Sequence, residues 1–231
     1  MQKIMAIAAH ADDIEFSCSG TMTKLASEGK ELTYVVLSAG EKGNKKDIPK
    51  SKIIDIRKKE QREAAKIIGV KNVVFLDMED GTIKNDEKLR KELVKLIRTY
   101  KPDIIFTFDP DCSLENFYTY HSDHRETAIA VFDAASPRAG NKYYYPELDI
   151  EPHRIESFYF FGTDNPNEFL DITEFIDIKI KAIKCHESQM MFDNEPLDKF
   201  VKKRAEEFGK KINIKYAEAF RKVERFKLNV E

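Results

Sequence analysis

The sequence contains no tryptophan, three cysteines and five histidines in 231 residues. Cys18, Cys112 and Cys185 are odd in number, widely spaced and without a CxxC pair. That argues against a disulfide framework and points to reduced thiols in a cytoplasmic protein. No stretch reaches the ~18 consecutive apolar residues of a membrane span. The opening segment MQKIMAIAAH has a short apolar run, and His10, Asp12 and Asp13 follow where a secretory signal would need a longer one. Neither sign of charge dominates: 39 Lys and Arg against 41 Asp and Glu leave a formal net charge of −2. Nothing in that balance calls for nucleic acid or an anionic membrane as partner. The local basic run Lys42, Lys45, Lys46, Lys50 and Lys52 reads as a solvated loop face. Phosphate-cradling glycine loops are also missing. Neither GxGxxG nor GxxxxGKS/T follows the first apolar run, so a nucleotide-binding module is disfavoured.

What is present is a globular composition, 42% hydrophobic and 35% charged, of a length that suits one domain over residues 1–231. Strand-length apolar runs alternate with helical patterns. Strands are expected at 4–9, 31–39, 72–76 and 103–108. Helices are expected at 19–29, 51–68 and 87–100, the last with apolar residues at 89, 93, 96 and 97. This alternation predicts an α/β fold, Rossmann-like, with a mostly parallel sheet and helices on both faces. Beyond residue 136 the pattern weakens. Residues 136–153 read as a long loop, 155–162 as a strand, and 173–189 and 197–210 as a C-terminal helical segment.

The chemistry concentrates where the first and fourth strands end. His10, Asp12, Asp13 and Glu15 fall within six residues directly after a buried strand. In open parallel sheets that end of the strands is where ligands bind. Adjacent carboxylates repel, and a divalent cation gives both a reason to stay ionised. The fourth strand leads through Asp109 and Asp111 to His121, Asp123 and His124. Two histidines three apart at a helix start share one face. His10, Asp13 and His124 together would make a three-ligand site that leaves a position for water, as catalytic rather than structural zinc does.

At these residues the chain resembles the PIG-L/LmbE-like de-N-acetylases. Their Ala-His-Pro-Asp-Asp-x-Glu motif reads Ala9-His10-Ala11-Asp12-Asp13-Ile14-Glu15 here, followed by Ser17-Cys18-Ser19-Gly20-Thr21. Their His-Pro-Asp-His motif reads His121-Ser122-Asp123-His124. The likeness extends to Arg57 and Glu60, to MEDG at 78–81, to Asp171-Ile172-Thr173, to His186, Ser188 and Gln189, and to YAEAFR at 216–221. It departs at Ala11, where proline is usual, and at Ser17 and Ser19, where glycine is common. Proline would stiffen the loop, and alanine removes no ligand.

The resemblance implies a metal-dependent hydrolase that removes acetyl from an N-acetylglucosamine-type amino sugar. It implies Zn²⁺, with Fe²⁺ compatible, on His10, Asp13 and His124. It also implies Asp12 as general base, His121 as a protonated oxyanion stabiliser or acid, and Asp123 orienting His121. Arg57 and Asp80 are the candidates to touch substrate; a surface-helix arginine and a turn aspartate are their plainer readings. Tyr143, Tyr144 and Tyr145 are read either as a sugar-stacking wall or as packing. His186 is read as structural or supporting, and His153 as surface. A metal-dependent hydrolase of another amide or ester is the alternative. The sugar, its aglycone and the oligomeric state are not legible, though self-association is compatible with the aromatic loops.

Overall fold

A computed structural model of the chain describes residues 1–43, 48–189 and 197–225. Its strands are β1 (Lys3–His10), β2 (Glu31–Ser38), β3 (Asn72–Met78), β4 (Ile104–Phe108), β5 (Ser157–Phe161), β6 (Glu168–Asp171) and β7 (Ala217–Glu224). They pair in the order β3-β2-β1-β4-β5-β7-β6. Pairs among the first five are parallel; β7 runs antiparallel to both β5 and β6. The helices are α1 (Asp13–Ser27), α2 (Lys50–Ile68), α3 (Glu87–Tyr100), α4 (Ser122–Asp133), α5 (Ile176–Lys184) and α6 (Leu197–Gly209). Right-handed crossovers put α1 and α2 on one face and α3 and α4 on the other. Helix α5 packs against α1 and α2, and α6 against β6, β7 and α5. Among the described residues no helix is long and apolar enough to cross a membrane.

Strand order reverses at β1, which lies between β2 and β4. A crevice opens at such a switch point, outside the carboxyl ends of the two strands. β1 is buried without a break from Ile4 to Ala9, as expected for a strand covered on both faces. Full burial of each large side chain there, Ile4, Met5 and Ile7, contributes roughly 1.5–3 kcal/mol. Helix α3 buries Leu89, Leu93 and Ile97, with Leu96 partly covered, the stripe its spacing predicts.

Three features depart from the sequence reading. Helix α1 starts at Asp13 rather than at 19, because Asp13 and Glu15, which break the apolar pattern, suit the positive end of the helix dipole and find buried partners. Strands β6 and β7 were not expected; Glu218, buried inside β7, spoils the apolar signature there. The helix over 173–189 divides into a short turn, α5 and a second turn at Glu187–Gln189. Of the basic run, Lys45 and Lys46 lie outside the described residues. Lys42 and Lys50 pair with Glu79, at 3.5 and 3.1 Å.

Glu218 belongs to a buried ion pair inserted into α1. Lys179 Nζ donates to the carbonyls of Glu15 and Phe16, both at 2.9 Å, and to Glu218 Oε1 at 2.6 Å. Glu218 in turn accepts from the amides of Gly20 (3.0 Å) and Thr21 (2.7 Å). Gly20 N and Phe16 O belong to one i to i−4 rung of the helix. The pair engages both groups of that rung and braces the turn that follows Asp13. On the other face, buried Arg98 donates to the carbonyls of Arg138, Ala139, Asn141 and Tyr144, tying the 136–153 loop along α3.

Candidate metal centre

β1 ends at His10, the backbone turns through Asp12 in a left-handed conformation (φ 89°), and α1 begins at Asp13. That φ is uncommon outside glycine, and aspartate is among the residues that tolerate it. The turn is braced from α2 and from the segment after α5. Gln61 Oε1 accepts from Asp12 N at 3.1 Å, and Gln189 Nε2 donates to Ala11 O at 2.7 Å. These bonds supply the stiffness that a proline at position 11 would otherwise give. Gln61 also donates to Glu15 Oε1 at 2.8 Å, and Glu60 accepts from the amide and hydroxyl of Ser188. His186, 1% exposed, faces Glu15 Oε2 at 3.2 Å. Burial works against its charge, but Glu15 raises its pKa. It supports the turn from behind.

Three ligand atoms converge in front of that turn. His10 Nδ1 and His124 Nε2 lie 3.3 Å apart. Asp13 Oδ2 is 3.5 Å from the first and Asp13 Oδ1 3.4 Å from the second. Four ligands at ~2.0–2.1 Å around a tetrahedral zinc stand about 3.3 Å from one another, so the donors fit such an ion. The outer nitrogens are already engaged. His124 Nδ1 faces Tyr118 O at 2.9 Å, and His10 Nε2 faces Asp123 Oδ2 at 3.1 Å and Asp80 Oδ1 at 3.2 Å. A ring that donates from its outer nitrogen presents a lone pair from the inner one, the tautomer a metal ligand needs. A second grouping, His10, His121 and Asp123, also lies close enough to hold an ion. There His10 Nε2 is bonded directly to Asp123 Oδ2 and Asp80 Oδ1, and His121 is exposed, so the first, more buried grouping suits an ion better.

Electrostatics agree with that assignment. Burial opposes a charge on His10, yet Asp123, Asp13 and Asp80 together push its pKa up to about 12. Burial likewise opposes ionisation of Asp13, but His124 and His10 hold it well below the ordinary carboxylate range. Asp13 thus faces the two inner nitrogens, while Asp80 and Asp123 hold the outer nitrogen of His10. Asp12 behaves differently. Burial, with the charge of Asp13 beside it, raises its pKa to about 7. His121 is exposed, and burial with His124 and His10 lowers its pKa. Its Nδ1 accepts from Asp123 N at 3.3 Å, which leaves the proton of the neutral ring on Nε2.

The expected residues thus meet in one place, with several changes of role. The Asp123 carboxylate does not brace His121; it holds His10, and only its backbone amide reaches His121. Burial and the neighbouring His124 and His10 lower the pKa of His121, which works against the protonated ring expected there. Arg57, expected at substrate or on a helix surface, is 1% exposed and donates to the carbonyls of Ala39 and Gly40. Gly40 (φ +73°) is squeezed between Arg57 and His10: a Cβ there would come within 2.7 Å of the guanidinium and 3.3 Å of His10. Asp80 spends its two oxygens on His10 and on Lys42 N (2.8 Å). Despite partial burial, these partners bring its pKa down to about 2. Of the Tyr143–Tyr145 run only Tyr145 is buried, Tyr143 is exposed, and the Tyr144 carbonyl accepts from Arg98 of α3; His153 bonds Pro102 O at 2.7 Å rather than standing free. Tyr118 was missed. Its hydroxyl donates to Asp13 Oδ1 at 2.8 Å while its carbonyl fixes His124, and no local pattern announces either contact.

Residues 5–135 match the family model PIG-L, described as GlcNAc-PI de-N-acetylase. The chain belongs to the PIG-L family. It is 30% identical over 225 residues to a diacetylchitobiose deacetylase of Thermococcus kodakarensis, covering 96% of this chain and 83% of that protein. The fold matches the N,N'-diacetylchitobiose deacetylase structure from Pyrococcus horikoshii with a TM-score of 0.89 and 29% identity, over 96% of this chain and 84% of the other. A 4-oxalmesaconate hydratase of Pseudomonas putida is 28% identical over 199 residues, 80% of this chain and 73% of that protein. This chain is accordingly a PIG-L deacetylase homologue with a mostly parallel α/β sheet.

Proposed function

We propose that the protein hydrolyses the acetamide of an N-acetylglucosamine-type amino sugar, using a divalent ion held by His10, Asp13 and His124. One observation carries the proposal: the side chains of His10, Asp13 and His124 converge within ion-binding distance, beside the buried carboxyl group of Asp12. The deacetylase relatives support the substrate class. Zinc is the proposed ion, and Fe²⁺ is compatible with the same donors. When bound, the ion supplies Lewis acidity toward the amide carbonyl and acidifies a water.

The chain's own residues then divide the proton work. Asp12, ionised above about pH 7, takes a proton from the attacking water, the task of a general base matched to ambient pH. His121 reaches solvent with a protonated Nε2, so it can donate a hydrogen bond to the carbonyl oxygen as negative charge develops there. The proton held on Asp12 passes to the departing nitrogen, and acetate and amine leave. Asp80 and Asp123 keep His10 oriented, and Tyr118 does the same for Asp13 and His124.

The test is amine and acetate release from N-acetylglucosamine, its β-linked disaccharide and simple glycosides, before and after chelation and zinc restoration. Metal-dependent release supports the proposal; metal uptake with no release from any sugar overturns the substrate class. The hydratase relative supports a second reading, water addition to an unsaturated acid at the same site. Ultraviolet loss of a conjugated enoic acid would detect it.

A further inference from the structure

A cleft of ≈ 180 Å³ opens beside the metal centre, between α1, α6 and β7. Phe16, Ser17, Asn116, Thr163, Arg204 and Phe208 line it, with Lys179 and Glu218 also on its walls. By the same kind of measure a water needs about 10–15 Å³, so the cleft has room for a charged group of several atoms. Its position is set by the site. Ser17 lies one turn after Asp13 on α1, and Asn116 shares a loop with Tyr118, whose hydroxyl holds Asp13. The cleft therefore adjoins the same helix and loop that carry Asp13 and Tyr118.

Its charges are unequal. Lys179 is consumed by Glu218 and two carbonyls, and Glu218 by Lys179 and two α1 amides, so that pair is internally matched. Arg204 is half-buried and makes no hydrogen bond or ion pair with any described residue. It lines the same cleft as Ser17 and Asn116, the residues that tie that cleft to the first turns of α1 and to the Tyr118 loop. An arginine held with its fork unpaired in a partly dry cleft suits a carboxylate or a phosphate, which it can bind bidentately.

We infer that this cleft binds an anionic substituent, a phosphate or a carboxylate, on the substrate, with Arg204 as the residue that selects for it. The inference rests on the amino-sugar reading for the identity of the rest of the substrate. Phe16 and Phe208 offer apolar walls for the carbon skeleton between sugar and anion.

The test compares kcat/KM of the purified, metal-loaded chain for three N-acetylglucosamine derivatives: the methyl glycoside, the 1-phosphate and a glycoside ending in a carboxylate. The anionic-to-neutral ratio is expected at about ten- to hundredfold for the better anion, as for a charge-assisted hydrogen-bond pair. It should fall close to one in Arg204→Met and recover in part in Arg204→Lys. The anion with the larger ratio names the group. A wild-type ratio near one, or a ratio that survives Arg204→Met, overturns the inference. Being a ratio, the readout is unaffected by a loss of folded or metal-loaded protein. Should no derivative be deacetylated, the amino-sugar reading fails separately. Calorimetric binding of the 1-phosphate against the methyl glycoside, in wild type and Arg204→Met, then decides the inference by the same ratio.

Discussion

Two buried charge clusters flank the start of α1, and they are built on opposite principles. Around Lys179 and Glu218 every charge meets its opposite and every remaining donor or acceptor is taken by helix backbone. Around His10, the carboxylates of Asp13, Asp80 and Asp123 crowd one imidazole while two inner nitrogens face each other at 3.3 Å. The first cluster is complete as it stands. The second holds more carboxylate than imidazole, an excess that the proposed cation would balance. Burial alone does not distinguish architecture from function; the balance of the buried charges does. Turn 10–13 needs both clusters, because the matched pair braces the helix whose first residue, Asp13, belongs to the unmatched one.

The comparison can be broken first at its reactive edge. Asp12→Asn should lower kcat by roughly 10²–10⁴-fold, the worth of a general base, while metal content by elemental analysis stays at the wild-type level. Unchanged turnover would remove Asp12 as the base. Breaking the matched pair from one side, as in Lys179→Met, should cost about 3–5 kcal/mol in denaturant unfolding, because Glu218 is left buried and uncompensated. The double change Lys179→Met with Glu218→Leu should recover much of that loss. If the single variant is as stable as wild type, the pair is not the brace described.

A smaller effect is expected from the groups behind His10. Asp123→Asn or Asp80→Asn should weaken metal affinity by ~10–100-fold in competition with a chelator, with little change in folding. A change in unfolding midpoint without one in affinity would make those aspartates structural. The smallest effect sharpens the contrast by pH. Asp12 is raised from 3.8 to about 7 in the folded chain, so between those values the folded state binds more proton than the unfolded one. Stability of the metal-free protein should therefore fall as pH rises through that window, by ~1 kcal/mol or more. Asp12→Asn should flatten the fall. A profile that rises instead would contradict the raised pKa.

Much of this was legible in the sequence, for a physical reason. His10, Asp12, Asp13, His121 and His124 sit in two short motifs at the ends of strands with clear apolar runs. The parallel half of the sheet was legible because strands covered on both faces are apolar without interruption. What stayed hidden depends on long-range partners. Arg57 looks like an ordinary helix arginine until β2 and its loop close over it, and Tyr118 looks like a loop aromatic until it meets Asp13. Strands β6 and β7 escaped because a charged residue inside a strand is sensible only once Lys179, 39 positions away, is beside it. The early start of α1 escaped for the same reason: its first turn carries functional charge instead of core.

The central claim is that His10, Asp13 and His124 together hold one divalent ion that the reaction requires. Elemental analysis of the purified wild type and of His124→Ala, paired with acetate release before and after chelation, tests it directly. The account predicts about one zinc or iron per wild-type chain, lost in the variant, with release abolished by chelation and restored by the metal. Full metal occupancy in His124→Ala, or acetate release that survives metal removal, would contradict it.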